Sequence, residues 1–287
     1  MNYLFFNELA DSGKNKDVVD KIQEELKNNL KGEVESKSVI NLDVDKVIKG
    51  LKKNDKVILL GGDGTLNHFV NSIDLDKKLP CKFYLYPYGT GNDFLNDVKE
   101  KQDPVTHLVE LNEYIQDLPV IEVKGKTYRF INGIGYGVDG ECCKKADELK
   151  AQGKTDINYG KITVGLIFKG YVAPNAVVKV DGKEVGKFKK VYISAAMNGK
   201  YYGGGMKVAP EQERGSKLIT SVVIYGTGKI GVITIFPNLF KGTHVKDKKH
   251  CFVAQGKEIE VSFDRPTALQ IDGEVVSDVT SYKAYIK

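Results

Sequence analysis

Residues 56–71 constrain the fold of this chain more than any other stretch. They read Lys-Val-Ile-Leu-Leu, then Gly-Gly-Asp-Gly-Thr at positions 61–65, then Leu-Asn-His-Phe-Val-Asn. The short apolar run bounded by glycine predicts a buried strand, and Leu66, Phe69 and Val70 recur at helical spacing. The sequence therefore predicts a strand that leads into a helix through a glycine turn.

This glycine turn has the properties of an anion-binding site. Glycines let a ligand approach the backbone closely, and the first N–H groups of the helix lack partners within it. Asp63 lies in the middle of the turn, where a carboxylate repels phosphate unless a divalent cation or a proton transfer accounts for it. The pattern favours metal–nucleotide chemistry. The alternative is a structural loop in which Thr65 caps the helix.

A second loop of the same kind follows the apolar strand at 82–87. It reads Gly-Thr-Gly-Asn-Asp at positions 89–93 and leads into a helix at Phe94. Ligands of parallel sheets bind at the carboxyl ends of strands, so two such loops on neighbouring strands predict one phosphate pocket. Either loop alone is weak evidence, because Asp93 could simply cap the helix that follows it.

The pattern of strands and helices divides the chain near residue 118. Strands alternate with helices before that point, which predicts a mostly parallel sheet covered by helices. After it, many short strands with tight turns predict an antiparallel β-sandwich. Helices are expected near 141–150 and 159–170, and the apolar run at 230–240 is ambiguous in period. The predicted fold class is α/β plus all-β.

Composition narrows the function classes. The chain has 287 residues and a net charge of +5, and its cations are almost all lysine, with three arginines. Without clustered arginine forks, nucleic-acid binding is disfavoured. No stretch resembles a signal peptide or a membrane span, and the four cysteines show neither metal nor disulfide spacing. We therefore expect a cytoplasmic protein with free thiols.

Two other patterns leave alternatives open. Residues 135–140 satisfy G-x-G-x-x-G after a strand and before a helix, as in dinucleotide-binding folds, but no βαβ repeat follows them. Asp181-Gly182 and Asp272-Gly273 each lie between apolar runs and each predict a hairpin turn. Local pattern does not separate these two aspartates.

The two glycine loops together resemble the paired signature of the diacylglycerol kinase catalytic family, particularly its soluble bacterial lipid kinases. The likeness continues through residues 129–139, 203–210 and 269–274. It implies an α/β nucleotide-binding domain like that of NAD kinases over residues 1–117, completed by a C-terminal strand at 279–287. It also implies a β-sandwich over residues 118–278.

The resemblance further implies which residues form the site. Asp63 and Asp117 would join the Mg²⁺ network, and Asp63 would be catalytic by placing the metal and the nucleotide. Asp272 would be the general base with Glu274 as its supporting acid, which favours Asp272 over Asp181. The residues that the resemblance places against ATP are Asn7, Lys14, Gly61, Gly62, Gly64, Thr65, Gly89, Thr90, Gly91, Asn92 and Asp93.

The chain also departs from the family pattern. His68 replaces the usual glutamate of the first loop, and Asn96 replaces an arginine after the second. Gly215-Ser216 stand in a stretch that lacks the Asp-Asp-Gly-Leu pattern of a second, structural Mg²⁺ site, so that site is not assigned. These changes raise the alternative of a catalytically silent nucleotide-binding regulator.

The expected activity is therefore that of an ATP- and Mg²⁺-dependent lipid kinase. It would transfer the γ-phosphoryl group to a lipid hydroxyl, first of all that of diacylglycerol, giving phosphatidic acid. Within enzymes, the alternative acceptors are a sphingoid base, another lipid or NAD. A homodimer is left open.

A kinase for a water-insoluble lipid has to visit a bilayer, so we expect peripheral contact at the inner membrane face. Lysines in the basic run at 241–249 would meet anionic headgroups while the preceding apolar run inserts. The alternative is that the apolar run packs inside the sandwich and the lysines face water. The predicted contact residues are Ile235, Phe236, Leu239, Phe240, Lys241, Lys246, Lys248 and Lys249.

Overall fold

The computed structural model describes residues 1–8, 15–89 and 91–287, with the side chains of residues 15 and 16 left out. The chain forms two compact units, Met1–Leu118 and Pro119–Lys287. The boundary lies one residue after the end predicted for the first domain. Each unit has its own sheet and core.

The first unit is an α/β domain. Its sheet has the order β2-β1-β3-β4-β5, in which the first four strands are parallel and β5 is antiparallel to β4. Its elements are β1 (Asn2–Phe6), α1 (Asn15–Leu30), β2 (Val34–Ser38), α2 (Val44–Lys49), β3 (Lys56–Gly61), α3 (Asp63–Ser72), β4 (Lys82–Pro87), α4 (Asp93–Val98), β5 (Val109–Glu110) and α5 (Asn112–Ile115).

Burial explains why the central strand of this sheet is almost entirely apolar. Residues 57–61 of β3 are all buried, because helices cover both faces of a parallel sheet. The apolar stripe of α1, which includes Val19, Ile22 and Leu26, packs in one core cluster with Leu4 and Ile58. The spacing that predicted these helices is thus the spacing of their buried side chains.

The second unit contains antiparallel strands and three helices. Every strand pairing described in this unit is antiparallel, which confirms the predicted all-β class of the second domain. The elements are β6 (Val120–Val123), β7 (Lys126–Arg129), β8 (Gly133–Gly137), α6 (Val138–Ala151), α7 (Tyr159–Phe168), β9 (Ala176–Val180), β10 (Lys183–Phe188), β11 (Ile193–Met197), β12 (Ile219–Ile224), α8 (Lys229–Lys241), β13 (Cys251–Gly256), β14 (Glu258–Ile271) and β15 (Glu274–Tyr285).

The long strand β14 joins the two parts of this sheet. Its first half pairs with β9, and its last three residues pair with β8, while β15 runs beside both halves. One core cluster lies between these strands, and a second one lies under the helices α7 and α8. The ambiguous run at 230–240 is therefore a helix, with Pro237 inside it.

Two predictions about the C-terminal half are wrong. We predicted that residues 279–287 complete the first domain, but β15 pairs with β14 and β6, and its Val279 and Tyr282 are buried in the core of the second unit. We also predicted that Ile235 and Leu239 insert into a membrane, but both lie on the inner face of α8 and are buried in the core. In each case the apolar side chains are needed by the second unit's own core.

The sequence also predicted that the cysteines are free thiols and that the chain has no membrane span. All four cysteines are free, as predicted. In the described ranges, no helix combines the length and the apolar character needed to cross a bilayer.

Candidate functional site

The two glycine loops of the first unit are joined by backbone hydrogen bonds. The N–H of Asp63 donates to the carbonyl oxygen of Gly91 at 2.8 Å, and the N–H of Tyr88 donates to that of Gly61 at 3.0 Å. These loops follow β3 and β4, which are neighbours in the parallel sheet. The structure therefore brings the two loops together at the carboxyl edge, where ligands of such sheets bind.

Asp63 caps the helix that begins in the other loop. Its Oδ2 accepts the N–H of Asp93 at 2.6 Å, and its Oδ1 accepts the N–H of Phe94 at 2.9 Å. The residue at the N-cap position of α4, Asn92, makes no side-chain capping bond. Asp63 thus satisfies donors that would otherwise be unpaired, and the anomalous carboxylate of the first loop has a structural contact.

The glycines of the first loop are not equivalent. A Cβ on Gly62 would lie 2.1 Å from the carbonyl oxygen of Gly91, so only glycine allows the loops to approach. A Cβ on Gly64 would meet nothing within 4 Å, and Gly64 is exposed. Gly62 is therefore needed for loop packing, whereas Gly64 leaves open space at the surface.

The start of α3 can bind an anion. Its N-cap, Gly62, provides no side-chain cap, and the positive end of the helix dipole lies there. In the second loop, Nδ2 of Asn92 donates to the carbonyl oxygen of Gly89 at 2.7 Å, while its buried Oδ1 has no partner among the described residues. The N–H groups at the start of α3 suit the phosphates of a nucleotide, whereas the Asn92 oxygen can only accept and suits a hydroxyl donor or a cation.

The fit to a resident metal ion is poor. Asp117 is exposed, and in the described part of the chain no three His, Cys, Asp or Glu side chains cluster closely enough to hold an ion. Both oxygens of Asp63 already accept backbone hydrogen bonds. A Mg²⁺ ion at these loops would therefore depend on the phosphates of the nucleotide for most of its ligands.

Three further residues of the N-terminal half were predicted to contact ATP. Asn7 follows β1 and is partly buried, whereas Lys14 and Thr90 lie outside the described residues. His68 and Asn96, where the chain departs from the family pattern, are both exposed. Neither departure alters the buried contacts of this unit.

In the second unit, Asp272 lies in the turn between β14 and β15. Its φ of +47° and that of +99° at Gly273 fit a type I′ hairpin turn. The carboxylate accepts the N–H groups of Ile131, Asn132 and Gly133 at 2.5, 2.8 and 3.0 Å. A carboxylate has about four acceptor positions, so these bonds fill most of them and fix the side chain.

Asp181 occupies a matching turn in the same unit. Its φ is +49°, and its Oδ1 accepts the N–H groups of Lys257 and Glu258 at 2.8 and 3.0 Å. The hairpin prediction is thus correct at both aspartates. Both carboxylates also accept backbone N–H groups of another segment, which is a structural role that they share. Glu274, the predicted supporting acid, is exposed, and no described hydrogen bond joins it to Asp272.

Sequence reasoning missed Arg214. Its Nη1 donates to the carbonyl oxygen of Ile131 at 2.6 Å, and its Nη2 donates to Oδ1 of Asn132 at 2.5 Å. Arg214 therefore holds the carbonyl side of the same segment whose N–H groups hold Asp272. Arg214 lies in a charged turn that reads as solvated surface, and the scarcity of arginine was the only signal available.

The G-x-G-x-x-G stretch does not form a dinucleotide fold. Its strand, β8, is antiparallel to β11 and β14, so no βαβ unit exists here. A Cβ on Gly135 would lie 1.6 Å from Oδ2 of Asp139, and one on Gly140 would lie 2.2 Å from the carbonyl oxygen of Ala268. These glycines allow α6 to pack on its own sheet.

Packing of α6 buries the carboxyl group of Asp139. The hydroxyl of Tyr202 donates to its Oδ2 at 2.9 Å, and the side-chain amide of Gln270 lies beside the same carboxyl group. Burial raises the pKa of Asp139 to about 6, although the Tyr202 bond opposes this change. Oε1 of Gln270 accepts the N–H of Gly273 at 2.8 Å, which links this interior to the Asp272 turn.

The class of protein described so far has an α/β domain with two joined glycine loops, followed by an antiparallel domain in which an aspartate is held by backbone N–H groups. Residues 2–123 match the family described as diacylglycerol kinase catalytic domain. Residues 132–284, more than half of the chain, match the family described as YegS C-terminal NAD kinase beta sandwich-like domain. The chain therefore belongs to the YegS C-terminal family, and its N-terminal part matches the diacylglycerol kinase catalytic domain.

Individual relatives agree with this assignment. YtlR of Bacillus subtilis (strain 168), named as a candidate lipid kinase, is 26% identical over 199 residues, which are 60% of this chain and 59% of YtlR. A diacylglycerol kinase of the same organism is 22% identical over 231 residues, 78% of this chain and 72% of the relative. The match to YtlR thus spans less than two thirds of that relative.

A solved structure shows the same fold over the whole chain. It is described as a candidate diacylglycerol kinase from Bacillus anthracis str. Sterne, with a TM-score of 0.70 and 18% sequence identity. The comparison covers 100% of this chain and 94% of the solved one. At this identity the likeness establishes the fold alone.

Proposed function

We propose that the protein is an ATP-dependent lipid kinase whose acceptor is the free hydroxyl of diacylglycerol. The observation that carries this proposal is the joined pair of glycine loops beside the uncapped start of α3, which suits the phosphates of ATP. The match of residues 2–123 to the diacylglycerol kinase catalytic domain and the names of the relatives support a lipid as the acceptor.

The proposed reaction is an in-line phosphoryl transfer. The acceptor hydroxyl oxygen forms a bond to the γ-phosphorus, the bond from that phosphorus to the β–γ bridging oxygen breaks, and ADP leaves. Asp272 takes the hydroxyl proton. Such a transfer depends on positioning and charge neutralisation more than on covalent chemistry by side chains, which suits a site built largely from backbone groups.

Mg²⁺ would be needed as the counterion of the ATP phosphates. Because the described residues form no cluster of metal ligands, we expect the ion to arrive with the nucleotide, and we propose Asp63 and Asp117 as the protein residues that contact it. The glycine loops then hold the phosphates through backbone N–H groups, and the fixed turn at Asp272 holds the proton acceptor.

An acceptor panel with γ-labelled ATP tests the proposal. Diacylglycerol, a sphingoid base and NAD would be offered in mixed detergent micelles, with and without Mg²⁺. We expect label in phosphatidic acid, and none when Mg²⁺ is chelated. Preferential labelling of NAD or of the sphingoid base would contradict the proposed acceptor. ATP binding in calorimetry without turnover on any acceptor would instead support a silent nucleotide-binding regulator.

A further inference from the structure

The helices α7 and α8 of the second unit lie side by side. Ile167 of α7 and Val232 and Ile235 of α8 are buried in one core cluster. Nζ of Lys229, at the start of α8, donates to the carbonyl oxygen of Phe168 at 3.4 Å. The inner faces of the two helices therefore have partners within the unit, and their outer faces are exposed to solvent.

This outer surface carries large apolar side chains in solvent. The exposed fractions are 43% for Val164, 56% for Phe168, 60% for Val172 and 74% for Ile230. Val164 and Phe168 lie one turn apart on α7, Val172 follows that helix, and Ile230 is next in the chain to Lys229, whose Nζ contacts Phe168. We call these four residues the apolar patch. Clustered exposed apolar groups of this kind are typical of an interaction site.

The charges on the two helices that carry the apolar patch have one sign. No acidic residue occurs between Asp156 and Asp181, or between Glu213 and Asp247. Both helices therefore carry only cations, and these lie near the helix ends and are exposed: Lys161, Lys169, Lys229 and Lys241. An apolar centre on helices whose only charges are lysines is complementary to a surface that is apolar inside and anionic outside.

We propose that the apolar patch docks on an anionic lipid bilayer, with Phe168 and Ile230 inserted among the headgroups and the lysines against lipid phosphates. This inference rests on the proposed function, because docking would bring the enzyme to a lipid acceptor held in the bilayer. A second copy of the chain is a poorer occupant, because a two-fold contact through this face would set lysines against lysines without acidic partners. The surface differs from the one that the sequence predicted, since Ile235 and Leu239 are buried.

The lack of tryptophan in this chain provides a direct test. Phe168→Trp and Ile230→Trp each place a single indole in the patch, and Val105→Trp places one at an exposed apolar position of the first unit. Each variant would be mixed with vesicles of phosphatidylcholine, or of equal parts phosphatidylcholine and phosphatidylglycerol. We expect a blue-shifted emission for the two patch variants with the mixed vesicles, and no shift for the control.

Vesicle flotation measures the contributions of the two kinds of side chain. Phe168→Ser with Ile230→Ser should weaken binding by about tenfold or more, because two large apolar side chains no longer insert. Changing Lys161, Lys169 and Lys229 to glutamine should cost roughly fivefold per lysine and remove the preference for phosphatidylglycerol. Lys246, Lys248 and Lys249 changed to glutamine form the matched control, which should change binding little.

Activity on a water-soluble, short-chain diacylglycerol separates this inference from the proposed function. The serine variant should keep that activity and lose activity on vesicle-borne substrate. If no acceptor is phosphorylated, the proposed function fails while the vesicle result still stands by itself. Serine variants that bind vesicles like the wild type would overturn the docking proposal. A wild-type dimer that the serine variant disrupts, with vesicle binding unchanged, would also overturn it.

Discussion

The carboxylate of Asp63 accepts the backbone N–H of Asp93, so the first glycine loop caps the helix that begins in the second. The reverse connection is made by the N–H of Asp63, which donates to Gly91. These reciprocal bonds make the two loops one structural unit. A substitution in either loop should therefore change the structure of both loops.

Replacing Asp63 should affect stability as well as activity. Asp63→Ala removes both acceptors at the start of α4, and we expect a loss of about 1–2 kcal/mol in the free energy of unfolding together with loss of ATP binding. Denaturant unfolding and calorimetry measure these effects. Asp43→Ala is the control, since Asp43 caps α2 through a single bond to the N–H of Lys46 at 3.0 Å. It should cost about 1 kcal/mol and leave ATP binding intact.

Gly62 and Gly64 should respond in opposite ways to alanine. Gly62→Ala forces a Cβ against the carbonyl oxygen of Gly91, so we expect a loss of about 2–3 kcal/mol in stability. Gly64→Ala meets open space in the first turn of α3 and should be neutral or stabilising by up to about 1 kcal/mol. Thermal unfolding compares the two, and equal effects would contradict the proposed role of Gly62 in joining the loops.

The sequence predicted the parts of this structure that depend on local pattern. The apolar runs of β3 and β4, the glycine turns after them and the Asp-Gly hairpins at Asp181 and Asp272 were all recognisable from spacing and turn chemistry. The change from alternating to antiparallel structure near residue 118 was also visible. Each of these features depends on residues that are neighbours in the chain.

The features that the sequence did not predict depend on residues far apart in the chain. The capping of α4 by Asp63, and the contact of Arg214 with Ile131, join segments separated by tens of residues. The placement of β15 depends on which core its apolar side chains complete, and a single strand pattern cannot specify that. Asp139 and Gln270 show the same limit, since their burial follows from helix packing.

Asp272 and Asp181 form a matched pair for testing catalysis. Asp272→Asn should lower turnover by about 10²–10⁴-fold, which is the typical contribution of a general base, while ATP binding is kept. Asp181 occupies the same kind of turn and its carboxylate also accepts two backbone N–H groups. Asp181→Asn should therefore lower stability without lowering turnover. Steady-state kinetics and unfolding of both variants check this. Equal turnover in the two variants would remove Asp272 from the mechanism.

Arg214 should act through the segment that holds Asp272. Arg214→Gln removes both guanidinium bonds, to the carbonyl oxygen of Ile131 and to Asn132. Because these bonds position the N–H groups around Asp272, we expect turnover to fall by roughly tenfold or more with the KM for ATP unchanged. Arg214→Lys keeps the charge but not the fork, so it should restore activity only in part. An unaltered turnover in Arg214→Gln would exclude this positioning role.

The buried carboxyl group of Asp139 should give the protein a distinctive dependence of stability on pH. Its pKa is about 6 in the folded protein, against 3.8 for the ordinary side chain, because burial disfavours the charged form. Between these values the folded state binds more protons than the unfolded state. Stability should therefore fall as pH rises through this window and stay level above it, with a total change of about 3 kcal/mol.

Asp139→Asn isolates this effect, because the amide keeps an oxygen for the Tyr202 hydroxyl but cannot ionise. The wild-type free energy of unfolding, minus that of the variant, should decrease from acid to neutral pH. Asp264→Asn is a control in which the change of stability with pH has the opposite sign. The backbone N–H of Asn175 lowers the pKa of Asp264, so the charged carboxylate stabilises the folded state and this stabilisation is lost only in stronger acid. Parallel pH profiles for wild type and Asp139→Asn would show that Asp139 does not titrate in this range.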